Sequence, residues 1–551
     1  MKTFINILSL LIYFNLLSFI TIGQDCLWSS QAGGTYSDQA GYIVLDQNGN
    51  SYIGGGFNSE PIIFNTGSAN SLGQNDMAII KYDPSGNEVW AWAFGGYNPT
   101  GTDYEQIGCI VIDTLNSRLL VTGSFYNSLT LPDTVLSGQG LTIYLLVMDF
   151  DRNILWARAA GGAGPDKGYG ITYDLQGNIY ISGTNQSGVA FQGITIPKGG
   201  FLAKYDKYGN LIWAKNKFRY HQASITYCEA TPLNLCFLNQ NLIVNGNALN
   251  KTIVIDTISI TIPLGTNAAY LASFSPEGNV QWLRIAGAPY GATGRKISSD
   301  GNGNVFITGE MGKIGFFGQD TLHSVTPMGD CFVAKFSPDG TFHWARNINA
   351  SNRSKGYGVI ADKENNVYFT GTLHGTAHFG PFIVISESTS DMFLARYTGE
   401  GTCIGVNHYS RGVFPGIAVD NSGNIHFGGT FYDTLAVGPQ LLVSRGSSDM
   451  FATKCSPITG IIQPQQSPSN TLLIYANPNT GECKITIPDE FQHEKELNLE
   501  VYDQTGRLIQ QARMKIAGNS VELDISAQAK GLYHAILSNG KKSYSGKIIF
   551  E

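Results

Sequence analysis

Residue types that could support catalysis or metal binding occur in this chain, but their spacing does not build a known site. His374 and His378 are four residues apart, a spacing that brings two side chains together on a helix. They lie in a Gly-rich, strand-like segment instead, so we interpret them as a chance pair. A recurring Asp-x-x-Gly-Asn phrase offers one carboxylate per turn, whereas calcium loops offer several, and we expect its Asp to cap its own turn. Nucleophile-elbow and phosphate-loop motifs do not occur in the required setting. The sequence therefore predicts no catalytic residue, no metal and no cofactor.

Aromatic and charged side chains recur in seven connections spaced along the chain. Aromatic rings stack on sugars or peptides and charges orient them, so these connections are our candidate ligand site. The competing interpretation is solvated loops whose tyrosines pack on the ends of neighbouring strands. The candidate ligand-binding residues are Tyr36, Tyr104, Tyr169, Tyr220, Tyr290, Arg295, Tyr357 and Arg411.

Composition indicates what kind of scaffold must hold these residues. The 551 residues carry 35 Lys and Arg against 42 Asp and Glu, a net charge of −7 that argues against a nucleic-acid binder. Glycine is abundant at 66 residues and aromatic residues reach 11%, while there are only 20 prolines. This combination indicates a turn-rich β protein rather than a collagen or a disordered chain. The length also exceeds that of one ordinary domain.

The N-terminal segment predicts export. Met1 and Lys2 precede an uncharged, mostly apolar stretch, so we predict a secretory signal peptide over residues 1–23. An uncleaved membrane anchor is the alternative, but polar residues interrupt the apolar run, and a lipoprotein is disfavoured because Asp25 precedes Cys26. We expect a mature chain without a transmembrane span, outside the cytoplasm, where its eight cysteines meet an oxidising environment.

An internal repeat sets the architecture. The phrase Asp-x-x-Gly-Asn-x-aromatic recurs about every sixty residues, and a second phrase that ends in Trp follows it at a steady distance. Each phrase predicts a strand, a tight turn and a second strand, so each unit supplies four strands. The repeated Asp residues are Asp46, Asp113, Asp174, Asp300, Asp362 and Asp420, with a degenerate copy near Asn239.

Seven four-stranded units around an axis predict a β-propeller. The seventh unit lacks its Trp strand, and residues 26–32 match that missing strand, so we expect the N-terminal strand to complete the last blade and close the ring. This alignment places Cys26 opposite Cys455 and predicts a disulfide between them. Cys228 and Cys236 are the best candidates for a second disulfide, whereas Cys109, Cys331, Cys403 and Cys483 have no predicted partner.

The two-phrase unit resembles the SBBP family of bacterial β-propeller repeats over about residues 26–455, with the fourth unit departing from the pattern in its first hairpin. We therefore assign residues 24–455 to a seven-bladed propeller. A polar, Pro-containing linker follows at 456–470. Alternating strands and turns over 471–551 predict a small Ig-like β-sandwich, so the whole chain is expected to be all-β.

The last segment contains, in order, an Asn-Pro-x-x-Gly opening, a Tyr-Asp-x-x-Gly-Arg phrase, a Gly-Leu-Tyr strand and a basic residue just before the end. These landmarks resemble the type A C-terminal sorting domain of the type IX secretion system, found in the Bacteroidetes. The resemblance implies passage through the outer-membrane translocon and removal of the domain by a surface sortase-like protease, with release or surface attachment as the outcome. The landmark residues are Asn477, Pro478, Gly481, Tyr502, Asp503, Gly506, Gly531, Tyr533 and Lys547.

Three functions remain open at this point. The leading hypothesis is a secreted or surface-displayed, non-enzymatic propeller that binds a polysaccharide or a protein. The first alternative is an extracellular polysaccharide hydrolase or lyase with its site at the channel mouth, because propellers host such enzymes and their carboxylates can lie far apart in sequence. The second is a structural component of a surface layer.

Overall fold

Strands account for nearly all regular structure in the computed structural model, and no α-helix occurs in the residues it describes. A single 3₁₀ turn, Asp489–Phe491, is the exception. The described residues are 24–73, 75–96, 105–218, 230–249, 252–262, 267–287, 291–438, 440–458, 472, 474–475, 479–492, 494–503, 507–515, 518, 520–539 and 542–551.

Seven antiparallel groups of four strands follow one another along the chain, and we number them sheets 1 to 7. In sheets 1 to 6 the four strands pair in chain order, whereas sheet 7 takes its fourth strand from the N-terminal end of the described chain. The strands are Asp38–Leu45, Ser51–Phe57, Asp76–Tyr82 and Glu88–Phe94 in sheet 1; Gln106–Asp113, Arg118–Leu131, Thr134–Asp149 and Ile154–Ala160 in sheet 2; Asp166–Tyr173, Ile179–Asn185, Gly199–Tyr205 and Leu211–Phe218 in sheet 3; Ala230–Leu238, Asn241–Ala248, Ala268–Phe274 and Val280–Ile285 in sheet 4; Thr293–Ser299, Val305–Met311, Asp330–Phe336 and Phe342–Asn347 in sheet 5; Lys355–Ala361, Val367–Phe379, Phe382–Tyr397 and Cys403–Tyr409 in sheet 6; and Gly412–Val419, Ile425–Phe431, Asp449–Cys455 and Cys26–Ala32 in sheet 7.

The second and third strands are joined by a further small hairpin. In sheets 2 and 6 it is continuous with the long second and third strands, and elsewhere it has strands of its own. The small hairpin of sheet 4 also pairs with the fourth strand of sheet 3, through Phe218 and Ile255. The separate pairs are Ile62–Ile63 with Ser68–Ala69, Val189–Phe191 with Ile194–Ile196, Thr252–Ile255 with Ile258–Thr261, Ile314–Phe317 with Asp320–His323, and Thr434–Val437 with Gln440–Val443.

The repeated Asp caps the turn of the first hairpin in each of several sheets. At the first copy, Asp46 Oδ1 accepts hydrogen bonds of 2.9 Å from the backbone N–H groups of Asn48 and Asn50, and Oδ2 accepts one of 2.7 Å from the Asn50 amide. Gly49 closes this turn with a φ of 80°, where any side chain would be strained. The same caps form at Asp174, Asp300 and Asp420. The expectation that this Asp serves its own turn is confirmed.

The repeated Trp of the fourth strand links each of several sheets to the next. In sheet 1, Trp90 donates its Nε1–H to the carbonyl of Phe150, in a turn of sheet 2, at 3.1 Å. Equivalent bonds run from Trp156 to Lys207, from Trp213 to Pro276, from Trp344 to Gly399 and from Trp28 to Pro84. Because Trp28 belongs to sheet 7 and Pro84 to sheet 1, the same contact joins the last sheet to the first.

The two ends of the repeat region meet in sheet 7. Cys26–Ala32 pairs antiparallel with Asp449–Cys455, and a disulfide joins Cys26 to Cys455 as predicted. The first strands of successive sheets also pack side by side, and Gly412–Val419 contacts the first strands of both sheet 6 and sheet 1.

The second predicted disulfide does not occur among the described residues. Cys236 carries a free thiol, while Cys228 lies outside the described residues. Cys236 packs in the apolar cluster that includes Ile243 and Leu271, and burial raises the pKa of its thiol to about 12. The thiol therefore packs as a core side chain.

The C-terminal segment forms two sheets around its own apolar cluster. Ile474–Tyr475, Glu482–Thr486 and Ser520–Asp524 make one sheet. The other sheet contains Leu508–Lys515, Glu496–Asp503, Gly531–Ser538 and Ser543–Phe550 in that order. Buried side chains from both sheets, such as Ile485 and Leu499, share the cluster.

Candidate functional site

Every first strand of sheets 1 to 7 is interrupted by a β-bulge. At a bulge one strand has an extra residue without a direct partner, and this changes the direction in which that side chain is presented. Apart from Leu233, a bulge residue lies five positions before the repeated Asp. The bulge residues are Gly41, Gly108, Tyr169, Leu233, Arg295, Tyr357 and, in sheet 7, Phe414 with Pro415.

These bulges converge on one cavity. A space of about 310 Å³ is lined by one bulge residue from each of the seven sheets, together with Tyr42, Asn234, Asn247, Thr293 and Lys296. A second space of about 510 Å³ shares Gly41, Tyr42, Tyr357 and Pro415 with it and continues to Glu105 and Tyr432. The first strands of all seven sheets therefore line a shared space, which we call the central cavity, and equivalent positions in it carry different side chains.

The structure places three of the predicted ligand-binding residues in this cavity and two outside it. Tyr169, Arg295 and Tyr357 line it. Tyr36 is 59% exposed, and the exposed Arg411 pairs with Asp433 at 2.6 Å; neither lines the two spaces. Both lie just before the first strand rather than at its bulge. Tyr104, Tyr220 and Tyr290 lie outside the described residues.

Tyr42 and Lys296 were not predicted from the sequence, although each follows a bulge residue directly. Tyr42 donates its hydroxyl to the Gly108 carbonyl, and burial raises its pKa well above the ordinary value. Lys296 Nζ lies 4.9 Å from the centre of the Tyr42 ring, a cation–π distance. Counting back from the repeated Asp would have identified both positions.

An ion-pair network holds Arg295 in place. Its guanidinium lies 2.6 Å from Glu310 Oε1 and 5.2 Å from the centre of the Tyr357 ring, while Arg353 reaches Glu310 Oε2 at 3.1 Å. Burial favours the neutral form of Glu310, but Arg295 and Arg353 outweigh it and hold the pKa of that carboxyl below its ordinary value. Burial and Glu310 raise the pKa of Tyr357 despite the opposing guanidinium. Glu310 is thus ionised, and the Tyr357 hydroxyl is neutral, at physiological pH.

The described part of the chain lacks both a cluster of metal ligands and a membrane-spanning helix. It contains no group of three or more His, Cys, Asp or Glu side chains placed to hold a metal ion. It also contains no helix with the length and hydropathy needed to cross a membrane.

The predicted sorting landmarks occupy turns and strands of the C-terminal sheets. Asp503 caps a turn by accepting hydrogen bonds from Arg507 N–H at 3.1 Å and from its guanidinium at 3.0 Å. Tyr502 donates to Glu500 at 2.8 Å, and Tyr533 is buried. Gly481 has a φ of 109°, whereas Gly531 and Lys547 lie in the last two strands. Asn477, Pro478 and Gly506 lie outside the described residues.

Comparison with protein families gives this segment an assignment. Residues 473–551 match the model of the secretion system C-terminal sorting domain. They form a type IX export signal. The sorting domain sends the chain to the cell surface or the medium and implies an interaction with the secretion machinery.

The chain also matches a distant relative. An uncharacterised WD repeat-containing protein, L264, of Acanthamoeba polyphaga mimivirus is 22% identical over 400 residues, covering 57% of this chain and 28% of the viral protein. The chain therefore spans less than a third of the length of that relative.

The solved structures that match this chain have low sequence identities to it. A Lactobacillus plantarum protein is 10% identical with a TM-score of 0.31, covering 74% of this chain and 98% of its own. The periplasmic gluconolactonase PpgL of Pseudomonas aeruginosa is 11% identical with a TM-score of 0.31, covering 73% and 99%. A Bacillus licheniformis rhamnogalacturonan lyase is 10% identical with a TM-score of 0.28, covering 95% and 91%.

Proposed function

We propose that this chain is a secreted or cell-surface binding protein, with its ligand site in the central cavity and a polysaccharide or a protein as ligand. The observation that carries the proposal is the asymmetry of the bulge positions. Tyr169, Arg295 and Tyr357 stand where other sheets have Gly41 and Gly108. If these positions served only the scaffold, any residue compatible with the backbone would be sufficient there. Aromatic rings and charges that face a cavity can instead stack on a ligand and orient it.

The architecture that we propose around this site is a seven-bladed β-propeller of SBBP-like repeats over residues 24–455. It is supported by the seven sheets, by their shared cavity and by the pairing of Cys26–Ala32 with Asp449–Cys455. We further propose that residues 1–23 are a signal peptide and that the sorting domain is an Ig-like sandwich. The type IX translocon would recognise that domain, and a sortase-like protease would remove it near linker 456–470.

Binding is tested with the purified secreted protein on an array of glycans and matrix proteins. We expect a defined set of ligands whose binding is lost in Tyr169→Ala and Tyr357→Ala. Tyr208→Ala is the matched control, because Tyr208 is an exposed turn residue away from the cavity. An array without any ligand would contradict the proposal and favour a structural surface component.

A pair of buried carboxyl groups favours the hydrolase or lyase alternative. Asp76 and Glu105 are both buried and both flank Gly95 so closely that a β-carbon there would clash with each of them. Burial raises the pKa of Asp76, and Glu105 lines the larger space. Depolymerisation of an extracellular glycan that is lost in Glu105→Gln would establish this alternative. A ligand that binds without being cleaved would support the binding proposal.

A further inference from the structure

The first strands of sheets 5 and 6 carry neighbouring positive charges, of which Arg295 and Lys296 line the central cavity. Arg295 and Lys296 lie in one strand, Lys355 begins the other, and Arg353 lies two residues before Lys355. We call these four residues the cationic cluster. Glu310 pairs with two of them, Arg295 and Arg353. Within the described residues neither Lys296 nor Lys355 forms an ion pair, so the cluster has an excess of positive charge in a chain whose net charge is −7.

The surroundings of Lys355 disfavour its charged form. Burial lowers the pKa of Lys355, and Arg353 and Arg295 lower it further, while Glu310 opposes them. An anion bound beside Lys355 would favour its charged form.

Two of the cationic side chains lie over aromatic rings that line the cavity. Arg295 lies over Tyr357 and Lys296 over Tyr42, and all four side chains line the smaller space. Elsewhere in the ring of bulges, Gly41 leaves open space, since a β-carbon placed there would meet no atom within 4 Å. The cavity therefore combines a cationic, aromatic side with a side that leaves room for a ligand.

We propose, on the basis of the binding function above, that the cavity takes a carboxylated saccharide. Its carboxylate would pair with Lys296 and Arg295, and its ring faces would pack on Tyr357 and Tyr169. The space of about 310 Å³ suits a few sugar units. Amide side chains of Asn234 and Asn247 also line it, as expected for a hydroxyl-rich ligand. These features favour an acidic saccharide over an acidic peptide.

The full secreted chain is tested for binding to polygalacturonate, to alginate and to polygalacturonate whose carboxylates are methyl-esterified. We expect binding to at least one uronate polymer, with affinity falling about tenfold or more on esterification or in Lys296→Gln. Raising the salt from 50 to about 500 mM should weaken it as well, because screening acts on charge pairs. Lys207→Gln is the matched control: Lys207 lies over Tyr208 at 5.2 Å, a similar cation–π pair far from the cavity.

The outcomes separate this inference from the function on which it rests. Binding to neutral glycans that does not respond to Lys296→Gln would overturn the acidic ligand and leave the binding function standing. Equal binding to polyglutamate and uronate polymers would also overturn it, in favour of an acidic peptide. Failure to bind any glycan or matrix protein would overturn both. The comparison of free with esterified polymer uses the unaltered protein, so it remains decisive if Lys296→Gln fails to fold.

Discussion

Equivalent residues in this repeat have different surroundings, and two buried aspartates show the consequence. Asp38 and Asp166 both lie eight positions before the repeated Asp. The Asp38 carboxylate accepts hydrogen bonds from Gly34 N–H and from the Ser59 hydroxyl and N–H, among others. Asp166 accepts one from Gly162 N–H at 2.6 Å, and its Oδ1 has no hydrogen-bond partner among the described residues. Burial therefore raises the pKa of Asp166 to about 7.

This pKa predicts how stability depends on pH. The folded protein holds the Asp166 proton up to a pH of about 7, whereas the unfolded chain releases it near a pH of about 4, so this residue lowers stability as the pH rises through that window. We expect Asp166→Asn to raise the free energy of unfolding by about 2–4 kcal/mol at pH 8 and by much less at pH 4. Denaturant titrations at both pH values measure the difference.

Asp206→Asn is the control for this experiment. Asp206 caps an exposed turn, where hydrogen bonds from Asn210 and neighbouring amides outweigh desolvation and lower its pKa. That variant should gain no stability at pH 8. An equal gain in Asp166→Asn at both pH values would show that ionisation of Asp166 is not the cause.

At the scale of elements, the fourth strand does more than complete its sheet. Its Trp donates across to the second hairpin turn of the next sheet, and an Arg two residues later often joins it. Arg158, Arg284 and Arg346 donate to Gly209, Gly340 and Gly401 in this way. The sheets are thus connected by directional bonds near their outer strands as well as by apolar packing near the cavity.

Trp344→Phe tests this connection. The change removes the donor to the Gly399 carbonyl and leaves a small void at a buried position, so we expect a loss of about 1–3 kcal/mol in the free energy of unfolding. Trp92→Phe is the control, because Trp92 stacks on Phe94 of its own strand at 4.2 Å. Equal losses in chemical denaturation of the two variants would contradict a specific role for the inter-sheet bond.

At the scale of the whole molecule, sequence reasoning succeeded where the repeat dictates geometry. The turn caps, the pairing of Cys26–Ala32 with Asp449–Cys455 and the disulfide follow from local chemistry and from counting strands. The cavity lining was predicted only in part. A bulge adds one residue to a strand and so changes which of the following side chains face the cavity. The position of a residue relative to the bulge therefore decides its direction, and Tyr36 and Arg411 lie before the bulge. The Arg295–Glu310 pair depends on neighbouring strands, which single-strand patterns do not encode.

The disulfide predicts how the repeat region responds to reduction. Cys26 and Cys455 are 429 residues apart, so the bond restrains a very long loop in the unfolded chain. We expect reduction, or Cys26→Ser with Cys455→Ser, to lower the free energy of unfolding by about 2–5 kcal/mol. Denaturation with and without reductant measures this. An effect of reductant that persists in the double variant would assign the loss to another cysteine.

Export predicts a fractionation result. Deletion of residues 472–551 removes the sorting domain, so the protein should accumulate in the periplasm instead of reaching the surface or the medium. Tyr208→Ala in the full chain, which leaves the sorting domain intact, serves as the control. Unchanged surface exposure of the truncated chain would contradict the role of that domain.

The pairing of Cys26–Ala32 with Asp449–Cys455 also orders events in time. A chain that crosses a membrane from its N-terminus delivers residues 26–32 early, but their partner strand arrives more than 400 residues later. Until then sheet 7 lacks the strand that pairs with Cys26–Ala32. Trp28 is therefore not yet held by its own sheet in position for the hydrogen bond to Pro84. Sheet 7 can therefore be completed only in a chain that extends to residue 455. A truncated product would retain an unpaired strand and a free Cys26 thiol, which quality-control proteases and thiol oxidoreductases can recognise.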